Sequence, residues 1–277
     1  MKEFSRLKPV NDVVFKKLFG DKVRKNSLIS FLNAVLTEHV IDVEIQEEKL
    51  DLDMIDDKLG ILDIKAVLSS GEKVNIEVQQ VNQYNMIKRT LFYWSKLYAE
   101  NFKKREAYAT LQKTITINIL GYSLFNREAF HSSFHIYEDK THEKLTDALE
   151  IHFIELPIFK KMEKDINSPL HRWLLFLTEP EDSNVLEAIM TMDDVIRETE
   201  GKLAELSADP ETRRLYELRE KKIRDDLSNL TGAKEEGKEE GERNKAFEVA
   251  KKLLEKGMDK QEISQITGLP LSSLDVL

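Results

Sequence analysis

Apolar and polar side chains alternate in two runs between Leu62 and Gln79, on either side of a short turn. Leu62, Ile64, Ala66 and Leu68 are separated by Asp63, Lys65 and Val67, and Val74, Ile76 and Val78 are separated by Asn75 and Glu77. A period of two puts alternate residues on opposite faces of a strand, so each run predicts a strand with one apolar side. Ser69-Ser70-Gly71 between them fits a three-residue hairpin loop with Gly71 in the left-handed region. Such a loop pairs Leu62 with Val78 and Ile64 with Ile76, and sets Asp63 opposite Glu77 on the other face. A loop one residue longer would oppose apolar to polar side chains, so the alternation itself favours this register.

Other segments change period. Asn11 or Asp12 can cap a helix whose apolar side includes Phe15, Leu18 and Phe19, with Gly20 as its stop. From about Asn82 to Lys104, the residues Tyr84, Ile87, Leu91, Trp94 and Tyr98 recur at three- and four-residue steps, which predicts a long helix with these turned inward. Thr114 to Leu120 is rich in β-branched residues and reads as a strand buried on both faces. Val43 to Leu52, Phe134 to Tyr137 and Leu149 to Leu156 read as further strands, and Ser168 begins a helical region. The fold class is therefore α/β, a mixed sheet flanked by helices, with a helical C-terminal tail. We place the main domain at residues 1–230, with its helical extension from about 168, and the tail at 231–277. Within the tail, Lys234 to Glu242 is charged and punctuated by Gly, and Lys260 to Leu277 resembles a helix-turn-helix fragment. Its last helix carries no Lys or Arg to read a groove, so packing or self-association into a homo-oligomer is its expected role.

Composition narrows the chemistry. The 277 residues include no Cys, which excludes disulfides and thiolate metal sites. Six His are scattered, and His131 and His135, four apart in a strand-like pattern, read as ordinary surface residues. No stretch is long and apolar enough to span a membrane, and the charged N-terminus has no secretory core, so a cytoplasmic protein is expected. A net charge of -9 argues against coating nucleic acid by bulk attraction. Positive charge is nevertheless concentrated in the first 25 residues and in the helix after the hairpin, where Arg89, Lys96 and Lys103 recur every seven residues.

Two carboxylates facing each other across strands repel, and a divalent cation between them reverses that sign. Solvation of Asp63 and Glu77 on a wet polar face, with Lys65 as a neutralising neighbour, is the bland alternative. Gln79 shares the face of Glu77, and the carbonyl of Val78 lies between them, so acidic and polar oxygens gather at one point. Mg²⁺ takes oxygen ligands and needs few of them when a phosphate and waters complete its shell. A basic helix directly after such a hairpin suits a phosphate backbone.

The order Lys-Pro-x-x-Asp-x-x-Phe-Lys-x-Leu-Phe-Gly, Leu-Asp-Ile-Lys, Asn-Ile-Glu-Val-Gln and Lys-Arg-x-x-x-Tyr-Trp resembles the recombination-promoting nuclease family. These are bacterial PD-(D/E)XK proteins also described as transposases, and the resemblance runs from about Leu7 through the Glu-Glu-Gly-rich helix at Ala233 to Arg243. It implies a restriction-endonuclease-like fold and Mg²⁺- or Mn²⁺-dependent DNA endonuclease activity that promotes recombination. By motif, Asp63 and Glu77, with the Val78 carbonyl, would be metal ligands, and Asp12 falls at the family's N-terminal acidic position. Gln79 stands where the wider superfamily has lysine, so it would orient water or phosphate by hydrogen bonds without adding charge. Arg89, Tyr93 and Lys96 on the following helix would hold the DNA strand. A catalytically silent DNA-binding or scaffold protein that keeps the fold is the rival reading.

Overall fold

A computed structural model describes residues 5–46, 64–100, 102–178, 183–275 and 277. The chain divides into two compact units, residues 1–223 and 224–277.

The first unit is built on a six-stranded mixed sheet of β1 (Val43–Ile45), β2 (Ile64–Leu68), β3 (Lys73–Gln79), β4 (Thr114–Leu120), β5 (His131–Tyr137) and β6 (Lys144–Glu155). Their order across the sheet is β1-β2-β3-β4-β6-β5. β2 and β3 form the expected hairpin, with Ile64 opposite Ile76 and Ala66 opposite Val74. Gly71 closes it at φ +102, and its N–H donates to the Leu68 carbonyl at 2.8 Å. A Cβ at that φ would be strained, which is why the turn takes glycine. Leu62 and Asp63 lie outside the described residues, as does the expected first strand beyond Gln46.

β3 pairs with β4, and β4 with β6, in parallel. Every residue of β4 is buried, as its β-branched composition predicts. Val74, Ile76 and Val78 of β3 and Ile115, Ile117 and Ile119 of β4 point into one core. That core is closed by α1 (Asp12–Phe19), α2 (Asn26–Val35) and the helices that follow the sheet, with Phe15, Phe19, Phe31 and Trp173 packed ring against ring. Asn11 caps α1 by accepting from Val13 N at 3.1 Å, and Gly20 ends it with its N–H on the Lys16 carbonyl. A Cβ at Gly20 would lie 2.6 Å from that carbonyl oxygen.

On the opposite face lies α3 (Met86–Ala99), shorter than the Asn82 to Lys104 helix that the sequence predicts. Its inward face also differs. Tyr84, Ile87 and Leu91, expected to be core, are exposed, whereas Met86, Thr90 and Leu97 are buried. The sheet beneath α3 explains the difference, because it presents Asn75, Glu77, Thr116 and Asn118. A helix covering polar groups must bring hydrogen-bonding side chains to them. Thr90 accordingly donates to Asn118 Oδ1 at 3.2 Å, and Trp94 Nε1 donates to the Thr114 carbonyl at 2.9 Å.

After β6 come α4 (Leu156–Lys161), α5 (Pro169–Thr178), α6 (Ser183–Met192), α7 (Asp194–Ala208) and the 46-residue α8 (Pro210–Glu255). The Gly-punctuated stretch from Lys234 to Glu242 is thus continuous helix. Each Gly there costs about 1 kcal/mol relative to Ala, but the Ala, Glu, Lys and Arg around it are strong helix formers. In the second unit α9 (Lys260–Thr267) and α10 (Leu271–Leu274) bury Ala250, Ile263, Leu269 and Leu274 in a small cluster. Among the described residues no helix is long and apolar enough to cross a membrane.

Candidate active site

Glu77 stands on the α3 side of β3, beside Asn118 of β4 in the parallel register. It is 2% exposed, so the wet polar face considered from the sequence is a covered one. A buried carboxylate needs compensating donors, and Glu77 has them. Arg89 Nε of α3 donates to its Oε1 at 2.7 Å, and the Gln79 amide nitrogen donates to the same oxygen. Arg89 lies over the Tyr93 ring at 4.9 Å, one turn further along the helix. Thus Glu77, Gln79, Arg89 and Tyr93 come together as one cluster.

The other expected residues fall around it. Lys96, two turns beyond Arg89, is exposed and rests 4.7 Å over the Phe92 ring. Val78 buries its side chain on the opposite, apolar face of β3. Asp12 is buried in the first turn of α1 and is held at two points by Arg219 of α8, at 2.9 Å through Nε and 2.5 Å at the second oxygen. Burial pushes the Asp12 carboxyl above its usual range, and the Arg219 charge and hydrogen bond oppose that rise. Asn11 and Lys8 both reach Glu220, one residue further along α8. Gln80 Nε2 donates to the Val10 carbonyl at 3.1 Å, which ties the end of β3 to the segment entering α1.

Three residues that the sequence reading did not single out belong to the same face. Asn118 accepts from Thr90 and donates to the His152 carbonyl at 2.9 Å. Tyr122, just past β4, has its phenol pushed up to about 12, first by burial and then by the Glu77 charge. Glu155 ends β6 fully buried, with Oε1 accepting from the backbone N–H groups of Leu124 and Phe125. A polar residue inside an otherwise apolar strand was the legible signal for Asn118 and Glu155.

A second polar cluster occupies the opposite face of the sheet. Glu150 accepts from Lys113 at 2.6 Å and from His152 at 2.7 Å, and His152 Nδ1 meets His131 Nε2 at 2.9 Å. His135 Nε2 stands 3.6 Å from Glu150. His131 and His135 are therefore half-buried members of a network and not ordinary surface residues, because β5 turns both toward β6.

The family model for PD-(D/E)XK nuclease family transposases matches residues 9–233. The chain belongs to that family. Its mixed sheet flanked by helices is the restriction-endonuclease-like fold of PD-(D/E)XK proteins, and membership gives it a nuclease-type function with DNA as the implied substrate. The matched span includes Asp12, Asp63, Glu77, Gln79 and Arg219. No curated protein and no solved structure matches the chain.

Proposed function

We propose that this PD-(D/E)XK protein is an endonuclease that hydrolyses DNA phosphodiesters with a divalent cation, Mg²⁺ or Mn²⁺, and so promotes recombination. The observation that carries the reading is the buried Glu77 carboxylate, seated between Gln79 and Arg89 at the centre of the sheet. Among the described residues no three acidic or His side chains gather to hold a metal. Asp63 lies outside them, one residue before Ile64, and the Ile64–Ile76 pairing supports a register with Asp63 opposite Glu77.

The donor chemistry fits a hard cation: the Asp63 and Glu77 carboxylates and the Val78 carbonyl are all oxygen donors. When bound, such an ion supplies a lowered pKa for a bound water and neutralises developing phosphoryl charge. Arg89 fills the same electrostatic role toward Glu77 in its absence, so cation binding and the Arg89 pairing compete. An Arg89 released from Glu77 is placed to hold a phosphate, with Tyr93 beneath it and Lys96 further along α3. Gln79 orients water or phosphate by hydrogen bonds, and Asp12 braces the start of α1 through Arg219 or joins the acidic set. Self-association through the second unit is part of the proposal, supported by Ile266 and Leu271 exposed on α9 and α10.

Nicking of supercoiled plasmid, with and without Mg²⁺, tests the reading. Wild type should nick only with the metal, and Asp63→Ala and Glu77→Ala should not nick at all. Unchanged cleavage by either purified variant overturns the site. The catalytically silent alternative is favoured by one observation, that Asp12 and Glu77 each already carry an arginine counter-charge. DNA binding without cleavage under every divalent metal would select it.

A further inference from the structure

The outward stripe of α3 carries side chains that the sheet does not use. Lys88, Phe92 and Lys96 follow at four-residue steps along one side of the helix, so an aromatic group lies between two cations there, and Tyr84 precedes the helix in a bend at φ +59. Tyr84 is 77% exposed and Phe92 53%, and Ile87 and Leu91 beside them are exposed as well. Past the helix, Lys103, Lys104 and Arg105 are exposed, and Tyr108, 81% exposed, stacks on Phe102 with centroids 5.5 Å apart. Glu100 and Glu106 are the acidic residues of this segment, outnumbered by its lysines and Arg105. In a chain of net charge -9 this is a local basic strip set with exposed rings, Phe92 with Lys96 over one face and Tyr108 with one face against Phe102.

Large rings held in water are unfavourable unless something covers them. A second copy of the same face would bring Lys88 and Lys96 against their own equivalents. Unpaired nucleotides instead supply a π face for each ring and a phosphate for each cation. Duplex DNA keeps its base faces stacked inside, so it can meet the cations but not the rings. We propose that the strip from Tyr84 to Tyr108 binds single-stranded DNA, with bases stacked on Tyr84, Phe92 and Tyr108. The proposal rests on the nuclease reading and deepens it by naming the substrate class as a strand with unpaired bases. Arg89, adjacent in sequence to Lys88, turns inward to Glu77, so a strand on the outer stripe runs within about one helix diameter, 10–12 Å, of that carboxylate.

Fluorescence anisotropy with the full chain in EDTA reads the proposal without cleavage. The probes are a fluorescein-labelled single strand and the blunt duplex of the same sequence. The single strand should bind roughly tenfold more tightly, and Tyr84→Ala or Phe92→Ala should weaken that binding by about the same factor, the scale of one lost stacking contact. Phe92→Trp should retain it and Phe92→Leu should not, because an apolar group without a ring cannot stack. Equal affinity for both probes, or full affinity in Phe92→Leu, overturns the proposal. So does a wild-type dimer in sedimentation that Phe92→Ala dissociates, since a second copy would then own the face. Single-strand preference without any plasmid nicking leaves this inference standing and removes the nuclease reading, whereas metal-dependent nicking with no preference does the reverse.

Discussion

Removing the Arg89 guanidinium would leave the Glu77 carboxylate in a nearly water-free place without its counter-charge. Breaking a buried pair in this way typically destabilises by about 3–5 kcal/mol, so Arg89→Ala should unfold at clearly lower urea. Under the proposed competition of a cation for the same carboxylate, Mg²⁺ should stabilise Arg89→Ala more than it stabilises wild type. Equal Mg²⁺ shifts in the two urea curves would refute that competition. Gln79→Ala should reduce nicking roughly a hundredfold, the scale of one lost stabilising donor, and a wild-type rate would reduce Gln79 to a strand residue. The second cluster makes a prediction about acid. Burial, and then the neighbouring His152, hold the His131 pKa down to about 4, against 6.5 in the unfolded chain. The unfolded state therefore takes up that proton first, and stability falls as pH drops from about 6.5 toward 4. Burial opposes the Glu150 charge, yet hydrogen bonds from His152 and Lys113 outweigh it and hold its pKa down at about 2. Its contribution is present above about 4.5 and is lost as pH falls through 2, so the two windows follow one another in the same direction. His131→Asn should remove the first window, on the order of 2 kcal/mol between pH 7 and 5. Urea unfolding at those two pH values checks this, and identical losses in wild type and variant would contradict it.

At the scale of elements, the β2–β3 hairpin holds Glu77 in register, and its turn depends on Gly71. Gly71→Ala forces a side chain onto a φ of +102 and should cost about 1–3 kcal/mol, measurable by chemical denaturation. A neutral result would mean the turn can change type without loss. This hairpin was legible in the sequence because a period of two and a positive-φ glycine are both local signals. β4 was legible for a similar reason, as only a doubly buried strand tolerates so continuous a β-branched run. The face of α3 was legible only in part: Trp94 turns to the sheet as expected, with Tyr98 stacked on it. Its most conspicuous periodic apolar residues, Tyr84, Ile87 and Leu91, point to water, and what faces inward was decided by polar groups on strands distant in sequence. Of the site, Glu77, Gln79, Arg89 and Tyr93 were nominated by motif and do meet, although the motif could not show that Arg89 binds the carboxylate directly. Arg219 was invisible for the opposite reason: it reaches Asp12 across 207 positions, and no local pattern in α8 marks one arginine among many.

Across the whole molecule, protection from solvent is unevenly spread. Residues 232–242 of α8 are exposed on every side, whereas every residue of β4 is buried. Local opening is easiest where few apolar contacts hold the backbone, so amides in 232–242 should exchange with deuterium orders of magnitude faster than those of β4. Hydrogen-exchange mass spectrometry reads this directly, and comparable protection would show that something covers that stretch of helix in solution. The clamp between Asp12 and Arg219 has a different kind of consequence, one of timing. Translation runs at about 5–20 residues per second, so the ribosome makes Arg219 about 10 to 40 seconds after Asp12. Throughout that interval the nascent chain holds the Asp12 carboxylate, and for the later part of it also the hairpin with Glu77, but not the arginine that seats the start of α1. Proteolysis of ribosome-bound chains stalled before and after residue 219 should show α1 becoming protected only in the longer ones, and early protection would break the link. A chain of this nuclease family is thereby kept from completing its N-terminal brace until most of it has been synthesised.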